Sequence, residues 1–179
     1  MKRWKAAATI AGVVAVAAGG VAYWRYSTRA PRKSQPASVM QMLGATRISV
    51  HYNRPSARGR TLFGGIVPYG QVWDPGADEA TTFETDRPII FAGQALASGS
   101  YSVWAIPDSA EWTVILSRAA HVYHIPYPEG HDALRVRIRP AIGPYVETLA
   151  FELPQADATH ALLVLHWGTT MIDIPIATR

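Results

Sequence analysis

The stretch Leu134-Arg-Val-Arg-Ile-Arg139 indicates the fold class of this chain, because apolar and charged residues alternate at every step. Successive side chains of a β-strand point to opposite faces, so the alternation predicts a strand with one apolar face and one arginine face. The stretch Tyr101-Ser-Val-Trp-Ala-Ile106 is a second clear strand pattern. Both stretches favour a sheet that covers a core on one side.

The same pattern continues on both sides of these stretches, with Gly, Pro or Asp-rich breaks between short apolar runs. We therefore predict an all-β domain, an antiparallel β-sandwich or jelly roll, preceded by one N-terminal transmembrane helix. One short helical turn is expected at Val39–Leu43. The predicted strands are 46–52, 71–73, 80–85, 89–91, 99–106, 112–117, 134–139, 146–153, 161–166 and 170–176.

The N-terminal segment Ala6 to Trp24 contains 19 consecutive uncharged residues between two basic stretches. A bilayer core of about 30 Å needs about 20 helical residues, so this segment is long enough to span it. Aromatic residues favour the two membrane interfaces and stand at both ends of the segment. These interface residues are Trp4, Tyr23, Trp24 and Tyr26.

Small residues form one face of the predicted transmembrane helix, where Ala7, Ala11, Ala15 and Gly19 follow each other at intervals of four. Faces of this kind let helices approach closely in lipid, so we expect the helix to pack against other transmembrane proteins. Two alternatives remain open. The helix could be a weakly hydrophobic anchor, or Ala15-Val16-Ala17 could be the cleavage site of a signal peptide.

Composition divides the chain into an anchor at 1–26, a Pro- and Ser-containing linker at 27–38 and a β-sandwich domain at 39–179. Basic residues flank the span almost equally, so the positive-inside rule hardly distinguishes the two possible orientations of the span. A short basic head before a first span is typical of secretory proteins. We therefore expect a single-pass inner-membrane protein whose C-terminal domain is periplasmic.

The charge of the chain is strongly asymmetric. Residues 1–73 hold 11 Lys and Arg and no acidic residue, whereas residues 74–179 hold six Arg and 13 Asp and Glu. The positive charge belongs to the membrane flanks and one short loop, as anionic headgroups would favour. This pattern argues against a nucleic-acid partner. Cysteine is absent, which removes only the disulfide option.

The segment 121–132 places His121, His124 and His131 with two carboxylates in twelve residues. Imidazole and carboxylate groups can bind zinc, but this spacing matches no known site geometry. We predict no metal and no cofactor. A loop that faces a partner and a solvated connection are both compatible with the pattern.

The segment 54–60 brings together Arg54, Arg58 and Arg60. Guanidinium groups could brace the domain by pairing with a carboxylate such as Glu79, or could contact a partner, a lipid or a small anion. The segment Trp73 to Glu79 holds three acids, and a paired-acid glycosidase could use such groups. Its Asp-Pro-Gly-Ala-Asp run, however, is more typical of a turn than of a catalytic site.

Nucleophilic catalysis has little support in the sequence, which lacks cysteine, a Gly-x-Ser-x-Gly elbow and a phosphate-binding glycine loop. We expect no enzymatic activity. The tryptophans on strand patterns are expected in the core, as large apolar side chains usually are. These are Trp104, Trp112 and Trp167.

An ordered set of short motifs between His51 and Thr82 resembles a bacterial family of exported domains of unknown function. The motifs include Tyr52-Asn-Arg-Pro-Ser56, Phe63-Gly-Gly65, Val67-Pro-Tyr-Gly70 and Glu79-Ala-Thr-Thr82, and the likeness extends over nearly all of 46–176. The resemblance implies a β-sandwich and no established activity or cofactor. The chain departs from the family pattern at Asp74-Pro75, in its histidine-rich loop and in the anchor that we expect to be retained.

The combination of this domain with a small-residue helix is also similar to an accessory subunit of the photosynthetic reaction-centre–antenna complex of phototrophic Gemmatimonadota. That likeness implies transmembrane proteins of a large complex, pigment-protein subunits and the lipid bilayer as partners. We therefore expect a non-enzymatic structural or interaction subunit that braces a membrane assembly. The alternative is a cell-envelope small-molecule-binding module or hydrolase that uses Arg60, Glu79 and the loop histidines.

Overall fold

The structure is a computed structural model that describes residues 34–178. It is all-β, with two antiparallel sheets and no helix among the described residues. The larger sheet has six strands in the order β1-β2-β3-β6-β7-β8, and the smaller sheet has four in the order β5-β4-β10-β9. The strands are β1 Gln35–Leu43, β2 Thr46–Arg54, β3 Thr82–Thr85, β4 Ile89–Phe91, β5 Gln94–Leu96, β6 Gly99–Ile106, β7 Trp112–Ser117, β8 Asp132–Ile138, β9 Ala141–Glu152 and β10 His160–Thr178.

The core lies between the two sheets and is built from the inward positions of alternating strands. On β8, Leu134 and Val136 are buried while Arg135 and Arg137 are exposed, as the alternation predicts. Rings meet across the sheets: Phe83 of β3 and Phe91 of β4 have centroids 5.4 Å apart in an edge-on arrangement. Full burial of such a ring contributes about 1.5–3 kcal/mol, so these positions hold the layers together.

The predicted all-β class is confirmed, and the bounds of β4, β6 and β7 agree with the prediction. Two expectations near the start of the domain are wrong. Val39–Leu43 belongs to strand β1 and not to a helical turn, and β1 begins at Gln35, inside the segment expected to be a linker. Strand β1 pairs with β2 along its whole length, which supplies the backbone hydrogen bonds that its polar composition did not predict.

Two further differences concern the strand list. Residues 71–73 form only an isolated bridge between Trp73 and Ala105, because the segment runs as a connection between β2 and β3. The two predicted strands 161–166 and 170–176 are one long strand, β10. Its pairing with β9 shifts register on both sides of Gly168, whose φ of 60° is a conformation that suits glycine.

Candidate functional site

The histidine-rich loop lies against the outer face of the six-stranded sheet. Its Val122 and Tyr127 pack on a small apolar cluster of Ala80, Trp104 and Ile115. The rings of Tyr127 and Trp104 meet edge-on at 5.2 Å between centroids. The Tyr127 hydroxyl donates to Asp132, which also binds Arg135 at 2.6 Å, so the end of the loop is tied to β8. The loop therefore covers part of the sheet, while Tyr123 and Ile125 remain exposed.

The three loop histidines point to different partners. His121 Nε2 lies 3.8 Å from Glu84 Oε1, His131 Nδ1 lies 2.9 Å from the Glu129 carbonyl oxygen, and the His124 ring contacts Tyr123. Among residues 34–178, no group of three or more His, Asp or Glu side chains is placed to hold a metal ion. The possible metal ligands of this loop are therefore close in sequence, but the path of the backbone directs their side chains to different partners.

A polar cluster that sequence reasoning missed surrounds Glu84 on the outer face of the six-stranded sheet. Ser100 Oγ donates to one carboxylate oxygen at 3.0 Å and Ser49 Oγ to the other at 3.4 Å. His51 Nε2 lies 3.7 Å from the same group. These residues share the outward positions of neighbouring strands, with Ser49 and Ser100 both paired with Glu84. These side chains meet because their strands pair with one another, and the sequence alone did not predict that pairing.

The arginine segment bonds mainly to backbone. Arg60 donates from Nε to the Ala57 carbonyl at 2.8 Å and from a terminal nitrogen to the Ser56 carbonyl at 2.7 Å. Arg54 Nε donates to the Leu149 carbonyl at 3.3 Å. These bonds fix the loop after β2 against β9. Such an arrangement is that of a brace, which is one of the roles that the sequence left open.

The carboxylate that faces this segment is Glu147 of β9. The Tyr145 hydroxyl donates to it at 2.6 Å and the Arg58 backbone N–H at 2.7 Å, and the nearby Arg58 and Arg60 charges add to these bonds. Together they lower the pKa of Glu147 below its usual value. Glu79, the carboxylate that sequence reasoning assigned to the arginines, accepts a hydrogen bond from Asn53 Nδ2 at 3.2 Å.

The acidic segment after Trp73 is a tight turn around a buried carboxyl group. Asp74 is 3% exposed, and its Oδ1 accepts the Thr81 backbone N–H at 2.9 Å. Burial raises the pKa of Asp74 to about 7, against the smaller effect of that hydrogen bond. A Cβ on Gly76 would stand 2.7 Å from Thr81 Oγ1, so only glycine fits inside the turn. The turn expected from the sequence is present.

Two oxygen atoms near this turn lack hydrogen-bond partners. Among the described residues, Asn53 Oδ1 and Asp74 Oδ2 are the only fully enclosed side-chain nitrogen or oxygen atoms without a partner. Asn53 Nδ2 meanwhile donates to the Ala77 carbonyl at 2.7 Å and so holds the turn against β2. Unpartnered buried oxygens cost stability, and the raised pKa of Asp74 is one expression of that cost.

An aromatic cluster of Phe63, Trp73, Trp112 and Trp167 joins the two sheets to the segment between β2 and β3. Phe63 lies edge-on to Trp112 at 4.7 Å between centroids, and Trp73 stacks on Trp167 at 6.0 Å. Trp104, Trp112 and Trp167 are each at most 3% exposed, so their expected core positions are confirmed.

A cleft of about 230 Å³ opens beside this aromatic cluster. Its lining includes apolar and polar side chains from four parts of the chain, and we call it the Trp112 cleft. Tyr69 and Ile142 at its rim are 46% and 91% exposed. None of the sequence-predicted site residues lines it. The lining includes Phe63, Tyr69, Asp108, Ser109, Trp112, Ile142 and Thr170.

The predictions for the N-terminal segment concern residues outside the described part of the chain. They are the helix-packing face Ala7, Ala11, Ala15 and Gly19 and the interface residues Trp4, Tyr23, Trp24 and Tyr26. Within 34–178, no helix is long and apolar enough to cross a membrane.

Comparison with known proteins places the chain in a family without naming a reaction. No curated protein and no solved structure matches it significantly. A family model described as "Protein of unknown function (DUF2911)" matches residues 34–176, from the start of the described domain to two residues before the end of β10. Since the match covers well over half of the chain, the protein belongs to the DUF2911 family.

Proposed function

We propose that this protein is a non-enzymatic, single-span membrane protein that acts as a structural or interaction subunit of a larger membrane assembly. In this proposal the segment 6–24 anchors the chain, its small-residue face packs on neighbouring transmembrane helices, and the β-sandwich contacts extramembrane parts of the partners. The domain is then periplasmic and the anchor lies in the inner membrane.

The observation that carries the proposal is the exposure of large apolar side chains on an otherwise well-packed domain. Ile142 is 91% exposed, Ile125 63%, Met40 60% and Tyr123 56%. Single exposed apolar residues are ordinary on protein surfaces. Here, however, Tyr123 and Ile125 stand together in one loop, and Tyr69 and Ile142 line one cleft. Paired exposed apolar groups of this kind favour a contact role.

The hydrogen bonds of polar side chains in the described domain also support a non-enzymatic role. Two groups in the candidate segments are engaged in holding the fold: Arg60 binds backbone carbonyls, and Asp132, at the end of the histidine-rich loop, binds Tyr127 and Arg135. The photosynthetic reaction-centre–antenna complex enters the proposal through the resemblance alone. Pigment-protein subunits are therefore one set of candidate partners among membrane complexes.

Purification through a C-terminal tag after mild detergent extraction tests the proposal. We expect the full chain, with the segment 6–24 still attached, to co-migrate with other membrane proteins in a large complex that mass spectrometry can identify. A mature chain that starts near residue 18, or one that runs alone on a native gel, would overturn it.

A matched pair of variants tests the helix face. Gly19→Leu adds bulk on the small-residue face and should reduce co-migration, because it separates the packed backbones. Ala17→Leu adds similar bulk on a different face of the same helix and should leave the complex intact. Equal co-migration of both variants would contradict packing through this face.

A further inference from the structure

The Trp112 cleft contains a buried indole whose N–H is free to bind a ligand. Trp112 is 1% exposed, yet no described residue accepts a hydrogen bond from its Nε1. The nitrogen is not among the fully enclosed unpartnered atoms, so it keeps a solvent-accessible edge. Buried indoles usually find a partner for this N–H. An acceptor oxygen from outside the chain would supply it.

Other lining residues of the cleft offer a hydrogen-bond acceptor and hydroxyl groups. Asp108 is exposed, and its Oδ1 accepts bonds from Ser109 Oγ at 3.2 Å and from the Ala110 backbone N–H at 3.3 Å. These bonds orient the carboxylate and leave its second oxygen without a described partner. Ser109 and Thr170 add hydroxyls to the lining. The residues that line the cleft therefore combine one indole donor, one oriented carboxylate, two aliphatic hydroxyl groups and the phenolic hydroxyl of Tyr69.

Charge and polarity narrow the class of ligand. No Lys or Arg lines the cleft among the described residues, and Asp108 does, so an anion would be repelled. A purely aliphatic ligand would cover the indole N–H and the carboxylate without pairing them, which is costly. A neutral molecule with several hydroxyl groups and an apolar face meets all of these conditions. A volume of about 230 Å³ suits one small ring.

We propose that the Trp112 cleft binds one ring of a neutral saccharide. In this arrangement a ring hydroxyl accepts the Trp112 N–H, and another donates to the free oxygen of Asp108. Phe63 and Tyr69 contact the apolar face of the sugar, and the exposed Ile142 closes the rim. The proposal concerns a second role for the domain, and it does not depend on membrane anchoring or on the partners proposed above.

Titration with neutral saccharides tests the site. The full chain is held in a detergent without a sugar headgroup, such as lauryldimethylamine oxide, because a maltoside would compete. Glucose, maltotriose, cellotriose and chitotriose are added, and binding is followed by calorimetry and by tryptophan fluorescence. Isolated peptidoglycan sacculi, tested by co-sedimentation, distinguish an envelope polymer from a free oligosaccharide. Binding to any of the four neutral sugars supports the proposal, whereas binding to the anionic sacculi alone would contradict it.

Variants locate the binding. Trp112→Phe removes the indole N–H, and Asp108→Asn weakens the acceptor, so each should reduce affinity about three- to tenfold. Asp86→Asn changes an exposed carboxylate that does not line the cleft and should leave affinity unchanged. Because Asp108 is exposed, its variant should fold even if the Trp112 variant does not.

Two results would overturn the assignment. One is the absence of binding to every saccharide probe at about 20 mM, a concentration that detects even weak sites. The other is binding that Asp108→Asn leaves as strong as in the parent protein while Trp112→Phe, if folded, does the same.

Discussion

Trp104 and Trp112 lie eight residues apart on opposite faces of the same six-stranded sheet, and both are 1% exposed. Their polar atoms are in different situations. Trp104 Nε1 donates to Ser102 Oγ at 2.8 Å, whereas no described residue accepts from Trp112 Nε1. Equal burial therefore conceals two roles. Trp104 is satisfied within the fold, and Trp112 has one hydrogen bond still to make.

The surroundings of the two indoles agree with the difference in their hydrogen bonding. Trp104 is covered by the histidine-rich loop, which supplies Val122 and Tyr127. Trp112 packs edge-on against Phe63, and both residues line an open cleft. The comparison teaches that the hydrogen bonding of a buried ring separates a structural position from a binding position better than its burial does.

The strongest test of the Trp104 region is Trp104→Ala. Removing this ring leaves a cavity under the histidine-rich loop, so we expect the free energy of unfolding to fall by about 3–5 kcal/mol. Chemical denaturation measures the loss, and hydrogen exchange should show weaker protection around residues 118–131. A loss below about 1 kcal/mol would mean that the loop does not depend on this ring.

Asp74 is another buried residue with an unpartnered polar atom, and its carboxyl group should make the stability of the domain depend on pH. Its native pKa of about 7 exceeds the ordinary value of 3.8, so the native state keeps a proton that the unfolded state releases. Stability should therefore fall as pH rises from about 4 to 7 and stay level above that, as far as this group is concerned. A difference of one pKa unit corresponds to about 1.4 kcal/mol. The difference between 3.8 and about 7 therefore lowers the free energy of unfolding by at most about 4 kcal/mol.

Asp74→Asn should remove this slope, because the amide cannot ionise while its oxygen still accepts the Thr81 N–H. Denaturation at several pH values measures the effect, and Asp108→Asn, at an exposed carboxylate, is the control that should keep the slope. An unchanged pH profile in Asp74→Asn would contradict the burial of an unpaired carboxyl group.

Phenylalanine substitutions compare the two indoles directly. Trp104→Phe removes the donor to the buried Ser102 hydroxyl, whereas Trp112→Phe breaks no described hydrogen bond. We expect Trp104→Phe to cost about 1–3 kcal/mol more stability than Trp112→Phe, as measured by urea unfolding. Equal costs would remove the distinction between the two positions.

The smallest effect is expected at Glu84. Its contacts with His51 and His121 are long and partly exposed, so Glu84→Gln should change stability by less than about 1 kcal/mol. The variant should also leave saccharide binding unchanged, since Glu84 does not line the Trp112 cleft. A loss above about 2 kcal/mol would show that the polar cluster is more important for the fold than its exposure indicates.

The sequence predicted the parts of the fold that alternate strongly. Strand β6, with its inward Val103 and Ala105, and strand β7, with Val114 and Leu116, were found with their observed bounds. Strand β1 was missed because its first residues resemble a linker and Val39–Leu43 was expected to form a helical turn, and only its pairing with β2 makes it a strand. The continuity of β10 was missed because Gly168 looks like a break, although it serves as an irregularity within the strand.

The site was less predictable, for a physical reason. The sequence places Trp112 in a strand pattern, which indicates burial, but it does not say what accepts the indole N–H. That depends on how Phe63, which is distant in sequence, and the turn at Asp108, four residues before the ring, are placed around the cleft. The loop histidines illustrate the reverse case, because groups that are close in sequence are turned toward different partners.

Hydrogen exchange at the two indole N–H groups tests the central claim most directly. The full chain is labelled with ¹⁵N, and the two indole signals are assigned through Trp104→Phe and Trp112→Phe. The account predicts rapid exchange with water at Trp112, slow exchange at Trp104, and slower exchange at Trp112 alone when a bound saccharide is present. Strong protection of Trp112 without any ligand, equal to that of Trp104, would contradict it.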